Sequence, residues 1–223
     1  SVDLLKGGDF DGIRFLIDNA LKAGQDKGIY SSTLFNYSCD MEPYFEQGIE
    51  LGRSFVQPKY WGKRSLDYLW YGIGAYLIKH PEVRYMFGPV SLSGHFPPLA
   101  KDMIVHFYRT YFADPEHLAT SFTRYTIQPE HKDLLKSYFS GESYEEDFRS
   151  LKEQLGNIGA AVPTLFKQYS ELCEDNGVRF LDFGVDASFG YCVDGLVLVD
   201  LNKVKDSKRK RYLTGNDVAH ESL

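Results

Sequence analysis

Cysteine is scarce in this chain. The three residues present, Cys39, Cys173 and Cys192, are odd in number and far apart. That gives neither a disulfide framework nor a zinc-ligand spacing and suits buried, reduced thiols in a cytoplasmic protein. No apolar run approaches the roughly 20 residues needed to cross a bilayer. The opening residues, SVDLLKGGDF, lack a basic region followed by an apolar one, so no secretory signal is expected. Positive charge is not in excess either: 25 Lys and Arg against 31 Asp and Glu leave a formal charge of −6. That balance argues against a nucleic-acid binder. It leaves two local basic patches, Lys59/Lys63/Arg64 and KVKDSKRKRY at 203–212. Repeats and low-complexity tracts are absent.

What is present describes a core-forming protein of 223 residues, 43% hydrophobic and 25% charged. Aromatics are plentiful, with 16 Phe, 16 Tyr and 2 Trp. Most must be core, and the surplus also suits an apolar ligand cavity.

The pattern along the chain is mixed. GIRFLI at 12–17 reads as a strand, GIYSSTLF at 28–35 as a short strand or loop, and GIELGRSFVQ at 48–57 as a central strand ended by Pro58. From Ser65, a candidate N-cap, the period becomes helical: Leu66, Leu69, Trp70, Ile73 and Leu77 share one face, with Asp67 in the first turn. EVRYMFGPVSL then reads as a buried strand. Pro97-Pro98 opens a helix striped by Leu99, Met103, Phe107 and Tyr111. Residues 114–143, broken by Pro115, Pro129 and Gly141, read as a helical insertion. Tyr144, Phe148, Leu151 and Leu155 mark a further helix, and another runs from Pro163 to Gly177. Two strands, VRFLDFGV and CVDGLVLVDL, close the sheet before a basic, then polar tail at 203–223. The expectation is one α/β (α+β) domain over 1–223, a mixed sheet flanked by helices.

One stretch, IELGRSFVQPKYWGKRS at 49–65, sets Glu50 and Arg53 three residues apart and follows them with Lys59, Gly62, Lys63 and Arg64. A charged pair inside a strand pattern is costly unless something uses it. The turn from Val56 and Gln57 to Ser65 joins a strand end to a helix N-terminus, where free backbone N–H groups and three cations suit a phosphate. Many strand–helix turns carry lysines merely for solubility, so this signal is weak by itself.

DGIRFL, GIYSSTLF and IELGRSFVQPKYWGKRSLDYLWYGIGAYL resemble the ornithine- and glycine-lipid N-acyltransferase family of the GNAT superfamily, whose members often carry a "hemolysin-like" label. RYMFGPVSLSG and VDGLVLVDL are similar to its longer members, and the G-x-R and E-x-x-R strands are distantly similar to acyl-homoserine-lactone synthases. The resemblance covers roughly residues 11–112 and 163–213. It implies a GNAT-like sheet and transfer of a long (3-hydroxy)acyl chain to the amine of an amino acid of ornithine or glycine type. The implied donor is acyl carrier protein or CoA, a phosphopantetheine thioester held at Val56, Gln57, Lys59, Gly62, Lys63, Arg64 and Ser65, with no metal. GNAT folds place a strand and one or two helices before the G-x-R strand, and only about ten residues precede Gly12. Part of the region that covers the acceptor is therefore expected to be missing.

An ammonium must lose a proton before attacking a thioester. Glu50 is the candidate base or relay, with Arg53 and Arg14 orienting it or forking the acceptor's carboxylate; a purely structural pairing of Glu50 with those arginines stays open. Ser91, Ser93 and His95 follow the FGPV strand, near the expected thioester, and Tyr85, Phe87 and Trp70 are candidates for an acyl tunnel. Asp182, Asp186 and Asp194 read as turn caps rather than metal ligands. Two other readings stand beside this one. One is a non-catalytic module peripheral to an anionic inner membrane through the KDSKRKR cluster; the other is a short-chain acetyl-CoA enzyme.

Overall fold

The change of period at Ser65 is realised as a helix, Ser65–Lys79. A computed structural model describes residues 29–52 and 65–213; the expected strand at 12–17, the turn at 53–64 and the end of the tail lie outside the described residues. The central sheet has four strands: β2 (Gly48–Glu50), β3 (Tyr85–Leu92), β5 (Val178–Asp186) and β6 (Cys192–Asp200), in the order β2-β3-β6-β5. β2 runs parallel to β3, with Glu50 level with Phe87, and the other neighbours are antiparallel. A smaller antiparallel pair joins β1 (Phe35–Tyr37) to β4 (Ala119–Ser121). The chain is thus a mixed α/β fold with a mixed sheet flanked by helices, as a GNAT fold requires.

Alternation along β3 and β6 divides the core in two. Met86, Val90, Val193, Val197 and Val199 face one way, where helix α2 (Ser65–Lys79) sets Trp70 and Ile73 and helix α3 (Pro98–Tyr111) sets Met103, Ile104 and Phe107. Phe87, Leu196 and Leu198 face the other way, against Phe35, Met41, Leu118 and Leu181. The short helix α1 (Glu42–Glu46) adds Phe45, whose ring lies 5.4 Å from that of Phe87.

Pro98 stands in the first turn of α3, where its missing N–H costs nothing. In the insertion, α4 (Lys132–Tyr138) precedes α5 (Tyr144–Asn157), whose N-cap Ser143 accepts from the Glu146 N–H. Helix α6 (Thr164–Ser170) packs Phe166 beneath Phe180. Four buried aspartates stitch these pieces down, each fully supplied with donors as burial demands. Asp102 receives the Tyr125 hydroxyl and the His131 Nδ1 side, both at 2.6 Å. Asp147 receives Tyr111 Oη and the amides of Ser140 and Gly141. Asp114 pairs with Arg179 at 3.0 Å, and Asp182 with Arg109 and Arg124.

The strand expected over 48–57 is described for Gly48–Glu50, and its stretch from residue 53 lies outside the described residues; among those described it is the outermost strand of the four. Residues 28–35, read as a short strand or loop, hold a 3-10 turn at Tyr30–Thr33 that leads into β1. Other expectations need correction. The insertion is not purely helical. Asp182 accepts the Ser121 N–H and helps draw β4 into the small sheet, a long-range contact that no local period encodes. The helix opened by Pro163 stops at Ser170, well short of Gly177. The basic run at 206–213 is helix α7, packed on α2: Arg211 and the Tyr212 hydroxyl reach Asp67, at 2.8 and 3.2 Å. Asp67 therefore does more than favour a helix dipole.

Candidate active site

Glu50 ends β2 and projects on the same face of the sheet as Phe87. Its carboxylate is half-buried and closes onto the 3-10 turn Tyr30–Thr33. Oε2 accepts the Tyr30 N–H at 2.9 Å, and Oε1 accepts the Ser31 N–H at 2.7 Å. The Ser31 hydroxyl also donates to Oε1, and the Tyr37 hydroxyl donates in turn to Ser31 Oγ at 2.6 Å. A carboxylate offers about four lone-pair sites. Among the described residues three donors reach it, two at Oε1 and one at Oε2. Burial pushes the Tyr37 phenol well above its ordinary range; Ser31 opposes that rise and the charge of Glu50 adds to it. Tyr37 therefore stays a donor at any working pH, so the chain Tyr37–Ser31–Glu50 keeps one direction.

The strand pair is pinned just past Glu50. The Leu51 N–H donates to the Phe87 carbonyl at 2.7 Å. Gly88, at φ +155°, lets the Leu51 carbonyl come so near that a Cβ on residue 88 would lie 1.9 Å from that oxygen. Only glycine fits there. β3 continues to Leu92, and among the described residues its pairing with β2 ends at Glu50 and Phe87.

The remaining sequence candidates are placed as follows. Ser91 Oγ donates to Asp194 Oδ1 at 2.5 Å across β3 and β6. Burial raises the Asp194 carboxyl; Ser91 pulls it back and the neighbouring Asp186 adds to the rise. Asp186 caps the turn Ala187–Phe189 through the amides of Ser188 and Phe189. Ser93 and His95 contact one another at 3.3 Å in an exposed loop. Phe87 is buried in the second core, and Tyr85 lies against Tyr44 at 4.7 Å. Trp70 is buried against Tyr169 and Tyr212, and its indole N–H donates to Gln168 at 2.9 Å. Arg14, Arg53, Val56, Gln57, Lys59, Gly62, Lys63, Arg64 and the side chain of Ser65 lie outside the described set.

Sequence reasoning missed Tyr30, Ser31 and Tyr37 as partners of Glu50. The hydroxyl-rich YSST before an apolar strand was a usable signal, since such runs form tight turns with inward amides. A cleft of about 760 Å³ lies elsewhere, at the opening ends of β3 and β5, lined by Tyr44, Tyr85, Tyr111 and Tyr144. Its arginines are already committed, Arg179 to Asp114 and Glu116 and Arg84 to Asp200. Among the described residues no group of three His, Cys, Asp or Glu side chains is placed to hold a metal ion, and no helix is long and apolar enough to cross a membrane.

Comparison with known proteins places this chain near acyltransferases in sequence. Residues 12–71 match the acetyltransferase (GNAT) domain model, a span that contains Glu50 and its 3-10 turn. The chain is 29% identical over 188 residues to a glycine N(alpha)-acyltransferase of Phocaeicola vulgatus, covering 81% of this chain and 57% of that protein. It is 28% identical over 191 residues to a glycine N(alpha)-acyltransferase of Bacteroides thetaiotaomicron, covering 82% and 56%. A 49-residue stretch is 45% identical to an L-ornithine N(alpha)-acyltransferase of Brucella abortus, covering 22% of this chain and 17% of that one. The chain thus spans about half the length of the two glycine N(alpha)-acyltransferases it matches. No solved structure matches it significantly. The mixed sheet and these relatives point the same way: residues 12–71 are similar to the GNAT acetyltransferase domain, and the chain as a whole is similar to amino-acid N-acyltransferases.

Proposed function

We propose that the protein is an amide-forming N-acyltransferase that moves a long, 3-hydroxylated or similar acyl chain from a phosphopantetheine thioester to the α-amine of an amino acid. The observation that carries this reading is Glu50, a half-buried carboxylate at the end of β2 held by the Tyr30 and Ser31 amides and the Ser31 hydroxyl, level with Phe87 of β3. The acceptor arrives as an ammonium. Glu50 takes its proton, directly or through one water, and the freed amine forms a C–N bond at the thioester carbon. The tetrahedral adduct then collapses, the C–S bond breaks, and the thiol leaves with a proton. Backbone N–H donors of the strand edge are the natural partners of the transient oxyanion.

Glycine or ornithine is the favoured acceptor class, because the relatives are named for those amino acids. Lys59, Lys63 and Arg64 are assigned to the donor's phosphate or to an acidic carrier protein, and Arg14 and Arg53 to the acceptor carboxylate. Ser91, Ser93 and His95 are assigned to the vicinity of the thioester, with Phe87, on the Glu50 face, beside the acyl path; Trp70 packs in the core on the opposite face. The test is a single-turnover assay with 3-hydroxyacyl carrier protein and acyl-CoA offered in parallel, each with glycine and with ornithine. Amide should form with a long-chain donor and be lost when Lys59, Lys63 and Arg64 are reversed to Glu. Transfer of acetyl groups alone would establish the short-chain reading instead.

A further inference from the structure

We infer that the end of the β5–β6 hairpin is a membrane-docking tip that seats in the headgroup layer of an anionic bilayer. Three large aromatic side chains stand in solvent at this one end of the sheet: Phe122 is 63% exposed, Phe189 63% and Tyr191 68%. Their neighbourhood follows from the backbone. Thr123 exchanges N–H and carbonyl bonds with Val185, at 2.8 and 2.7 Å through its own carbonyl and hydroxyl. Phe122 therefore lies beside Asp186, where the hairpin turn begins, and Asp186 pairs in turn with Cys192, next to Tyr191. Gly94 completes the surface, packed so closely on the Gly190 carbonyl that a Cβ would sit 2.0 Å from it.

The tip is rigid and its rings are held outward against their own preference. Asp186 fastens Ser188 and Phe189 through three hydrogen bonds. Gly190 and Tyr191 both adopt left-handed backbone, at φ 63° and 55°. A bulky residue rarely takes that conformation, and such strain persists where the surrounding structure imposes it. Packing does not explain it, since Tyr191 is the most exposed of the three rings.

The chemistry of the surface selects the occupant. The segments 91–96, 119–124 and 187–193 contain no acidic residue, in a chain whose net charge is −6. Arg124, paired through Nε with the buried Asp182 but with a side chain 66% exposed, and Lys101, reaching the Gly94 carbonyl at 3.4 Å, flank the rings. Uncharged aromatic rings rimmed by cations match the headgroup region of a membrane carrying anionic lipid. A second copy fits less well. Three rings at two-thirds exposure offer roughly 300–500 Å², below the ~800 Å² per partner of a stable interface. The basic helix α7 is the less suitable contact, because none of the exposed large apolar side chains among the described residues lies on it.

The inference does not depend on the proposed acyl transfer, and its test does not read activity. The full chain is sedimented with vesicles of phosphatidylcholine and phosphatidylglycerol in a 4:1 ratio, alongside the triple variant Phe122→Ser/Phe189→Ser/Tyr191→Ser. The unsubstituted chain should partition at least tenfold more strongly than the variant. A second variant, Tyr191→Gly, relieves the left-handed strain, so it should melt at a higher temperature than the parent yet bind vesicles less. Equal partitioning of parent and triple variant, or no partitioning of the parent, would overturn the inference. So would loss, in the triple variant, of a parent dimer seen by sedimentation velocity, or of binding to acyl carrier protein, without any vesicle binding; either result would give this surface to a protein partner.

Discussion

Replacing Glu50 by Gln changes one atom and separates the two roles the carboxylate can have. The Gln oxygen can still accept both the Ser31 N–H and the Ser31 hydroxyl, but its amino group then faces the Tyr30 N–H, donor against donor. An N–H left without an acceptor costs about 1–3 kcal/mol, and the bonds that remain lose their charge assistance. Glu50 is only half-buried, so water can take up part of that loss, and the sum settles near 2 kcal/mol. For a chain of this length that lowers the melting temperature by roughly 4–8 °C. The chemical consequence is larger. Removing a positioned base slows proton transfer by about 10²- to 10⁴-fold, so single-turnover acyl transfer should fall by that factor at a temperature where the variant is still folded. Calorimetry and rapid-quench kinetics on one preparation give both numbers. A melting temperature within a degree of the parent would refute the hydrogen-bond account. An unchanged rate with lowered stability would leave Glu50 as a cap for the 30–33 turn and nothing more.

Gly88→Ala forces a methyl against the Leu51 carbonyl; it should destabilise by about 1–3 kcal/mol in urea unfolding, and slow transfer by displacing Glu50. Asp194→Asn keeps an acceptor for Ser91. Because the folded chain raises the Asp194 carboxyl, its stabilising contribution is complete below the unfolded value near 3.8 and is lost as pH rises through the folded one. The variant should therefore melt higher than the parent at pH 8, with an advantage that shrinks as pH falls toward 4. Asp147→Ala strands the Tyr111 hydroxyl and the amides of Ser140 and Gly141 and should cost about 3 kcal/mol, read as a lower urea midpoint.

How much of this was written locally in the chain varies by element. The helix at Ser65–Lys79 was legible because Leu66, Leu69, Trp70, Ile73 and Leu77 repeat at helical spacing, and β3 and β6 because their apolar runs are bounded by turns. The small sheet was not, because β1 and β4 pair across more than 80 residues through three-residue strands, too short to show a period. Glu50 could be singled out as a carboxylate out of place in a strand pattern. Its partners could not, since the Tyr30 and Ser31 amides reach it only once the chain folds back 19 and 20 residues. The aromatic tip was hidden for the opposite reason: Phe122, Phe189 and Tyr191 look like core residues until burial is known.

The most direct measurement for the central claim is mass spectrometry of the lipids from cells that produce this chain, set beside cells producing the Glu50→Gln variant at equal soluble level. Long-chain N-acyl amino acid, with glycine or ornithine as headgroup, should appear with the parent and fall at least a hundredfold with the variant. A lipid profile indistinguishable from that of empty cells, with the parent protein folded and abundant, would contradict amide-forming acyl transfer by this chain.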